Sequence, residues 1–292
     1  MIMRAETAVL LGLFDGVHLG HRAAIEALCG CGAKERLVYS FTFHGLDTKG
    51  KRSPLTTDLE KTELILSLGA DRVILEDFDR VRNLTPEEFV KGVLLGELGA
   101  DTVIAGENFR FGKNASGDSG TLLTLCRELG MRAVILPIVK IDGEPVSSTR
   151  IRELISRGRV SEASRLLGYE YFITGRVLHG DAVGRSMGIR TVNLSSDGGK
   201  LIPLDGVYSS TTVIGGRSYP SVTNVGFKPT VRQDAARGIE THILDYSGDI
   251  YDETVRVIFR RYYRPERKFP SRQELIDAIA ADIKRRKEEC HE

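Results

Sequence analysis

The sequence predicts an α/β protein: a doubly wound parallel sheet, followed by a small antiparallel β-barrel or sandwich with a C-terminal helix. Three observations carry this. Strand-like and helix-like runs alternate from the N-terminus to about residue 168, as the crossover units of a parallel sheet do. Beyond Tyr169 the texture changes to short alternating runs broken by Gly, Asp and Pro, the pattern of antiparallel strands. A length of 292 residues is also long for one domain, so residues 1–168 and 169–292 are the expected parts.

In the first part the strand-length runs are Ala8 to Leu13, Arg36 to Thr42, Arg72 to Leu75, Asp101 to Ala105 and Arg132 to Ile138. After the first, His21 to Leu28 has apolar residues at helical spacing. Thr57-Asp58-Leu59-Glu60 and Thr85-Pro86-Glu87-Glu88 read as capping boxes, the second with Pro at the first helical position. Gly69 and Gly130 fall where helices should stop. The later runs are Tyr171 to Leu178, Val207 to Ile214, Tyr219 to Val225, Ile239 to Tyr246 and Thr254 to Arg260. A last helix begins at the box Ser271-Arg272-Gln273-Glu274 and carries Leu275, Ile276, Ile279 and Ile283 into Lys284-Arg285-Arg286-Lys287. That basic run suits a helix C-terminus and reads as a solvated face rather than a nucleic-acid patch.

Composition narrows the function classes. Lys plus Arg number 41 against 40 Asp plus Glu, a net charge of +1, so no polyanionic partner is implied. Four cysteines (Cys29, Cys31, Cys126, Cys290) are too sparse for a disulfide framework and lack zinc spacing. Neither a signal peptide nor an apolar run of about 20 residues is seen, and a cytoplasmic protein without nucleic-acid or membrane partners is expected. Self-association is not readable.

The chemistry starts at Gly12-Leu13-Phe14-Asp15-Gly16-Val17-His18-Leu19-Gly20-His21. Here two histidines sit where a strand turns into a helix, and open sheets bind ligands beyond such strand ends. A helix N-terminus offers unpaired N–H groups to an anion. Three further segments suit the same nucleotide: Gly106 to Gly117, with an aromatic pair plus Arg110 and Lys113; Val146-Ser147-Ser148-Thr149-Arg150-Ile151-Arg152; and Thr42-Phe43-His44-Gly45. Hydroxyls and guanidiniums at a helix start grip polyphosphate. Gly112-Lys113 is not a P-loop, because its spacing from Gly106 is one too long and Asn114 follows. Taken singly, each segment also reads as an ordinary turn or cap.

Together these motifs resemble the three signatures of the bacterial bifunctional riboflavin kinase/FMN adenylyltransferase (FAD synthetase) family: the Gly12 to His21 segment, Asn108-Phe109-Arg110-Phe111-Gly112 and Ser147 to Arg152. The resemblance implies a nucleotidyltransferase domain joining FMN to the AMP part of ATP, with Mg²⁺ present and pyrophosphate released. It places Gly12, Phe14, Asp15, Gly16, His18, Gly20, His21, Ser147, Ser148, Thr149 and Arg152 at ATP, and Asn108, Phe109 and Arg110 at FMN. Asn108 departs from the family's usual Asp, and Phe43-His44-Gly45 lacks its prolines. Because a phosphate monoester is already largely dianionic at pH 7, His18 and His21 are expected to be catalytic as charge stabilisers, not as general bases.

In the second part Gly180, Gly184 and Gly188 recur at every fourth residue around Arg185, before Arg190-Thr191-Val192-Asn193. The glycines permit a loop close to phosphate, and Thr191 and Asn193 offer oxygen ligands that suit Mg²⁺. Glu240 and His242 share a face of an alternating strand, which is equally the position of a solvent-facing residue. The order of these motifs, with Gly206-Val207-Tyr208, Asn224 to Thr230 and Arg264-Pro265-Glu266-Arg267-Lys268-Phe269, resembles the family's riboflavin kinase domain. That implies a six-stranded barrel phosphorylating riboflavin, with Glu240 as base, Thr191 and Asn193 at Mg²⁺ and ATP, and Arg264 in the segment closing over flavin. Arg190 replaces the proline the family has before this threonine. An alternative therefore stays open: a monofunctional FMN adenylyltransferase with an impaired or flavin-binding kinase half. A catalytically weak flavin-binding regulator is a third reading.

Overall fold

A computed structural model describes residues 6–43, 53–178, 191–195, 199–227 and 237–290. Contacts divide the chain into two compact units, residues 1–148 and 149–292. This boundary lies twenty residues before the sequence-based one, because the two helices before Tyr169 group with the second unit.

The first unit opens with β1 (Thr7–Leu11), α1 (Leu19–Cys29), β2 (Glu35–Phe41), α2 (Asp58–Ser67) and β3 (Arg72–Glu76). Short α3 (Phe78–Val81) and α4 (Pro86–Glu88) lead into a π-helix over Phe89–Glu97, then β4 (Ala100–Gly106). A 3-10 turn (Lys113–Ala115), α5 (Ser119–Glu128), β5 (Arg132–Leu136) and the hairpin β6 (Lys140–Ile141) and β7 (Glu144–Pro145) complete it. Five parallel strands run in the order β3-β2-β1-β4-β5. β1 is buried throughout, and its alternating side chains feed two cores. Val9 and Leu11 pack with Val90, Val93 and Leu122, whereas Ala8 and Leu10 pack with Ile25, Leu28 and Ile65. This two-sided burial makes the sheet doubly wound and its central strand continuously apolar. Both expected capping boxes form, Thr57 with Glu60 and Thr85 with Glu88. Gly69 and Gly130 follow their helices at φ values of 104° and 73°, where a side chain would be strained.

The second unit begins in α6 (Ser148–Ser156), which straddles the boundary, and continues through α7 (Val160–Leu167). A closed barrel follows from β8 (Phe172–Leu178), β9 (Thr191–Leu194), β10 (Gly206–Ile214), β11 (Arg217–Phe227), β12 (Arg237–Ile243) and β13 (Thr254–Arg264), and the last element is α8 (Arg272–Glu288). Part of its interior is polar. Thr212, Ser221, Ser210, Thr223 and Thr241 join their hydroxyls in one chain at 2.7–3.0 Å, each 0% exposed. Mutual satisfaction makes such burial tolerable.

The basic run on α8 departs from expectation. Arg286 is 5% exposed; its Nε donates to the Ser210 carbonyl (3.0 Å) and a terminal N–H to Thr211 Oγ1 (3.4 Å). Arg285 lies over the Tyr263 ring at 4.1 Å, and Lys287 pairs with Asp245 at 3.1 Å. The run fastens the helix to the barrel; it is not a uniformly solvated face.

Candidate functional site

Beyond the carboxyl end of β1 the chain enters a loop that most residues could not adopt. Phe14, Gly16 and Val17 take φ values of 53°, 85° and 38°, and left-handed non-glycine residues persist where surroundings enforce them. Here the enforcement is visible. Ser40 Oγ donates to the Leu13 carbonyl (3.0 Å), Ser148 Oγ to the Asp15 carbonyl (2.8 Å), and the Gly16 N–H to Thr56 Oγ1 (3.3 Å). The Leu55 N–H donates to Asp15 Oδ1 at 2.8 Å.

The loop delivers His18 as N-cap of α1, its Nδ1 accepting from the His21 N–H at 3.4 Å. The two imidazoles stack with centroids 3.6 Å apart and planes 14° from parallel. Phe14, 1% exposed, packs beside His21 at 5.1 Å. A Cβ on Gly20 would lie 3.1 Å from His18 Cε1, so this glycine admits the ring. One on Gly12 would lie 2.9 Å from the Phe14 ring.

Burial lowers the pKa of His18 to about 4. His21 is pushed well below its ordinary value by burial first, then by charge on His18 and on Lys61. Both are therefore neutral near pH 7 in the free site, and His21 Nδ1 is buried with no hydrogen-bond partner among the described residues. Neutral imidazoles can stack without repulsion, and an arriving anion would raise their basicity.

The structure redistributes several expected roles. Asp15 is 1% exposed, and its carboxylate holds the Leu55 N–H, so it organises the loop. Phe14 and Gly12 likewise serve the packing beneath the histidines. Ser148, the first residue of α6, uses its hydroxyl to tether the histidine loop. Ser147 directly precedes it, and Thr149 and Arg152 follow on the same helix at the start of the second unit.

Next to the end of β1 lies a cavity of about 310 Å³ walled by Leu11, Gly12, Tyr39, Phe41, Phe78, Arg82, Phe89, Phe109 and Arg110. Phe109 stacks on Phe111 at 5.6 Å, and Phe41 meets Phe78 edge-on at 5.3 Å. Such a slot takes a flat ring system. Phe109 and Arg110 line it; Asn108 is not in its wall, its Oδ1 instead lying against Gly106. Phe41, Phe78 and Arg82 were not foreseen, although aromatic residues at the carboxyl ends of parallel strands are a usable signal.

In the second unit, β12 pairs with β9 so that Glu240 lies opposite Asn193 and His242 opposite Thr191. Thr191 Oγ1 donates to Glu240 Oε1 at 2.5 Å. Thr191, Glu240 and His242 line a cavity of about 350 Å³ with Val207, Val222, Asn224, Arg264, Glu266, Arg267, Phe269 and, from α8, Leu275, Ile279 and Asp282. Arg264 is held by Asp282 at 2.7 Å, and Asn224 Nδ2 donates to Glu266 Oε1 at 3.4 Å. Asn193, opposite Glu240 in the register, is not among the residues lining this cavity; it is 8% exposed, and among the described residues its buried Oδ1 has no hydrogen-bond partner. Gly180, Gly184, Arg185, Gly188 and Arg190 lie outside the described residues, as do His44 and Gly45. Among the described residues no cluster of three or more His, Cys, Asp or Glu suits a metal. The hydroxyl, amide oxygen and carboxylate of Thr191, Asn193 and Glu240 do fit a hard cation that keeps water and phosphate ligands.

Comparison with known proteins gives matches to both units. Residues 2–150 match the FAD synthetase family model and residues 167–290 the riboflavin kinase model. Bifunctional riboflavin kinase/FMN adenylyltransferase of Pseudomonas fluorescens is 34% identical over 288 residues, spanning 94% of this chain and 89% of its own length. The enzymes of that name in Bacillus subtilis and Escherichia coli K12 are 32% and 33% identical, spanning 96% and 93% of this chain and 91% and 89% of their own lengths. A crystal structure from Streptococcus pneumoniae, described as a macrolide-efflux protein, superposes with a TM-score of 0.87 at 29% identity, covering 97% of this chain and 94% of the other. Among the described residues no helix is long and apolar enough to cross a membrane.

Proposed function

The chain belongs to the bifunctional riboflavin kinase/FMN adenylyltransferase family, and from that premise we propose which of its residues perform each transfer. It is a transferase with two activities: phosphorylation of riboflavin by ATP to give FMN, and adenylyl transfer from ATP to FMN to give FAD and pyrophosphate.

For adenylyl transfer the observation that carries the assignment is the stacked, neutral pair His18 and His21 at the carboxyl end of β1, beside the aromatic cavity. An FMN phosphate is a ready nucleophile at pH 7, so the protein's task is alignment and relief of charge at the α-phosphate and departing pyrophosphate. His18 and His21 donate N–H groups there and gain proton affinity as the polyphosphate arrives. Phe109 and Arg110 receive the flavin and its phosphate. Gly16, Gly20 and Ser148 act by shaping the histidine loop. The assignment of Ser147, Thr149 and Arg152 to the triphosphate rests on the sequence resemblance.

For riboflavin phosphorylation Glu240 is the base. An alcohol must lose its proton during transfer, and Glu240 is the carboxylate that lines the barrel cavity beside Thr191. Thr191 and Asn193 would hold Mg²⁺, and the orphaned Oδ1 of Asn193 supports this. When bound, that ion supplies charge neutralisation at the ATP phosphates. Arg264, oriented by Asp282, faces the flavin. Gly180, Gly184, Arg185 and Gly188 are assigned to ATP on the resemblance alone. A cytoplasmic location is part of the proposal, supported by only four scattered cysteines; nucleic acid is not a proposed partner.

Supplying riboflavin with Mg-ATP tests the kinase assignment. FMN accumulating first and FAD later is the expected course. FAD formation from FMN without FMN formation from riboflavin would overturn it.

A further inference from the structure

Neither transfer uses the lysine on the second turn of α2. The Lys61 side chain is 0% exposed, and a lysine this deep is retained only when paired. Its Nζ donates to the Phe41 carbonyl at 2.6 Å, lies 3.2 Å from Asp58 Oδ1, and sits 4.6 Å from the Phe43 ring centroid. Asp58 also accepts from the Phe43 N–H at 3.3 Å. The start of α2 thus grips the exit of β2 on both sides of Thr42, and Phe41 is a wall of the aromatic cavity. Its charge also bears on His21, and that of Asp15 bears on it in turn. Burial weakens its hold on a proton, and Asp58 and Asp15 oppose that.

This placement answers a difficulty in the histidine site. Two neutral imidazoles contribute no formal charge to an incoming polyanion. A buried cation whose charge bears on His21, shielded from water and salt, keeps a field that surface lysines lose. We propose that Lys61 is a positioning residue for adenylyl transfer, fixing the Phe41 wall of the flavin cavity through its bond to the Phe41 carbonyl and adding a buried positive charge to the field the polyphosphate meets. The proposal rests on the reading of His18 and His21 as the phosphate site.

Two substitutions in the full chain separate charge from tether. Lys61→Gln retains an N–H donor for the Phe41 carbonyl without the charge, and Lys61→Met removes both. Both are expected to raise the KM for ATP in FMN adenylylation about tenfold or more while riboflavin phosphorylation is unchanged. In Lys61→Gln the His21 imidazole, followed by NMR, should titrate at higher pH than in the parent. Lys61→Gln with parental ATP dependence and parental His21 titration would overturn the proposal. In the parent protein, pyrophosphate should shift the Lys61 Cε resonance, and no shift would overturn the proposal even if neither variant folds. A folded His21→Ala variant that still forms FAD would instead refute the phosphate-site reading beneath it.

Discussion

His18 is a buried base held neutral, the half-buried His21 beside it is pushed the same way, and that state has a pH signature. Burial lowers the pKa of His18 from the ordinary 6.5 to about 4 in the folded chain. Above about 6.5 both folded and unfolded forms are neutral here and the full contribution to stability is present. Between about 6.5 and 4 the unfolded chain takes up a proton that the folded chain refuses, so stability falls with falling pH by up to roughly 3 kcal/mol from this residue. His21 acts in the same direction. The thermal unfolding midpoint of the first unit should drop over this window, and more shallowly in His18→Gln; identical profiles would contradict the buried neutral state. Gly20 gives a second test at this scale. Alanine there improves helix propensity by up to about 1 kcal/mol, yet its Cβ would press on the His18 ring at 3.1 Å. Gly20→Ala is therefore expected to keep or raise stability while slowing FAD formation about tenfold, as a steady-state assay with FMN would read.

Among the elements, those with a local cause were legible and those with a tertiary cause were not. The five parallel strands followed from apolar runs, and Thr57 and Thr85 marked helix starts because the box is written in four consecutive residues. The π-helix over Phe89–Glu97 has no such code, since its wider hydrogen-bond spacing arises from packing. β9 escaped notice because it is four residues long and carries ligand-type side chains. Arg286 sat inside a basic run, and nothing local distinguishes a buried arginine from its solvated neighbours. Its bonds to Ser210 and Thr211 predict that Arg286→Leu costs about 2–3 kcal/mol of barrel stability. Urea unfolding monitored on the second unit should show it, with Lys284→Leu as a near-neutral control. In the candidate sites, the histidine pair and Glu240 were legible as motifs; Phe78 and Arg82 were not, because only the fold brings them to a cavity.

At the scale of the whole molecule, each unit contains its own core and its own cavity. The change of texture near Tyr169 marked where the barrel strands begin, but not where compactness divides the chain, because a helix can follow a sheet in sequence and still group with the barrel. Two chemistries with different demands follow from two environments. On the proposed assignment, neutral histidines relieve charge where a phosphate attacks ATP, and a carboxylate takes the proton of an alcohol. The central claim is that the two transfers are separable by single substitutions. It is tested most directly by supplying riboflavin and Mg-ATP to the parent, His21→Ala and Glu240→Gln proteins and resolving FMN from FAD over time, with a parallel reaction started from FMN. The account predicts that His21→Ala accumulates FMN without FAD, and that Glu240→Gln makes no FMN from riboflavin yet converts supplied FMN to FAD. Loss, in one folded single variant, of both FMN formation from riboflavin and FAD formation from supplied FMN would contradict it.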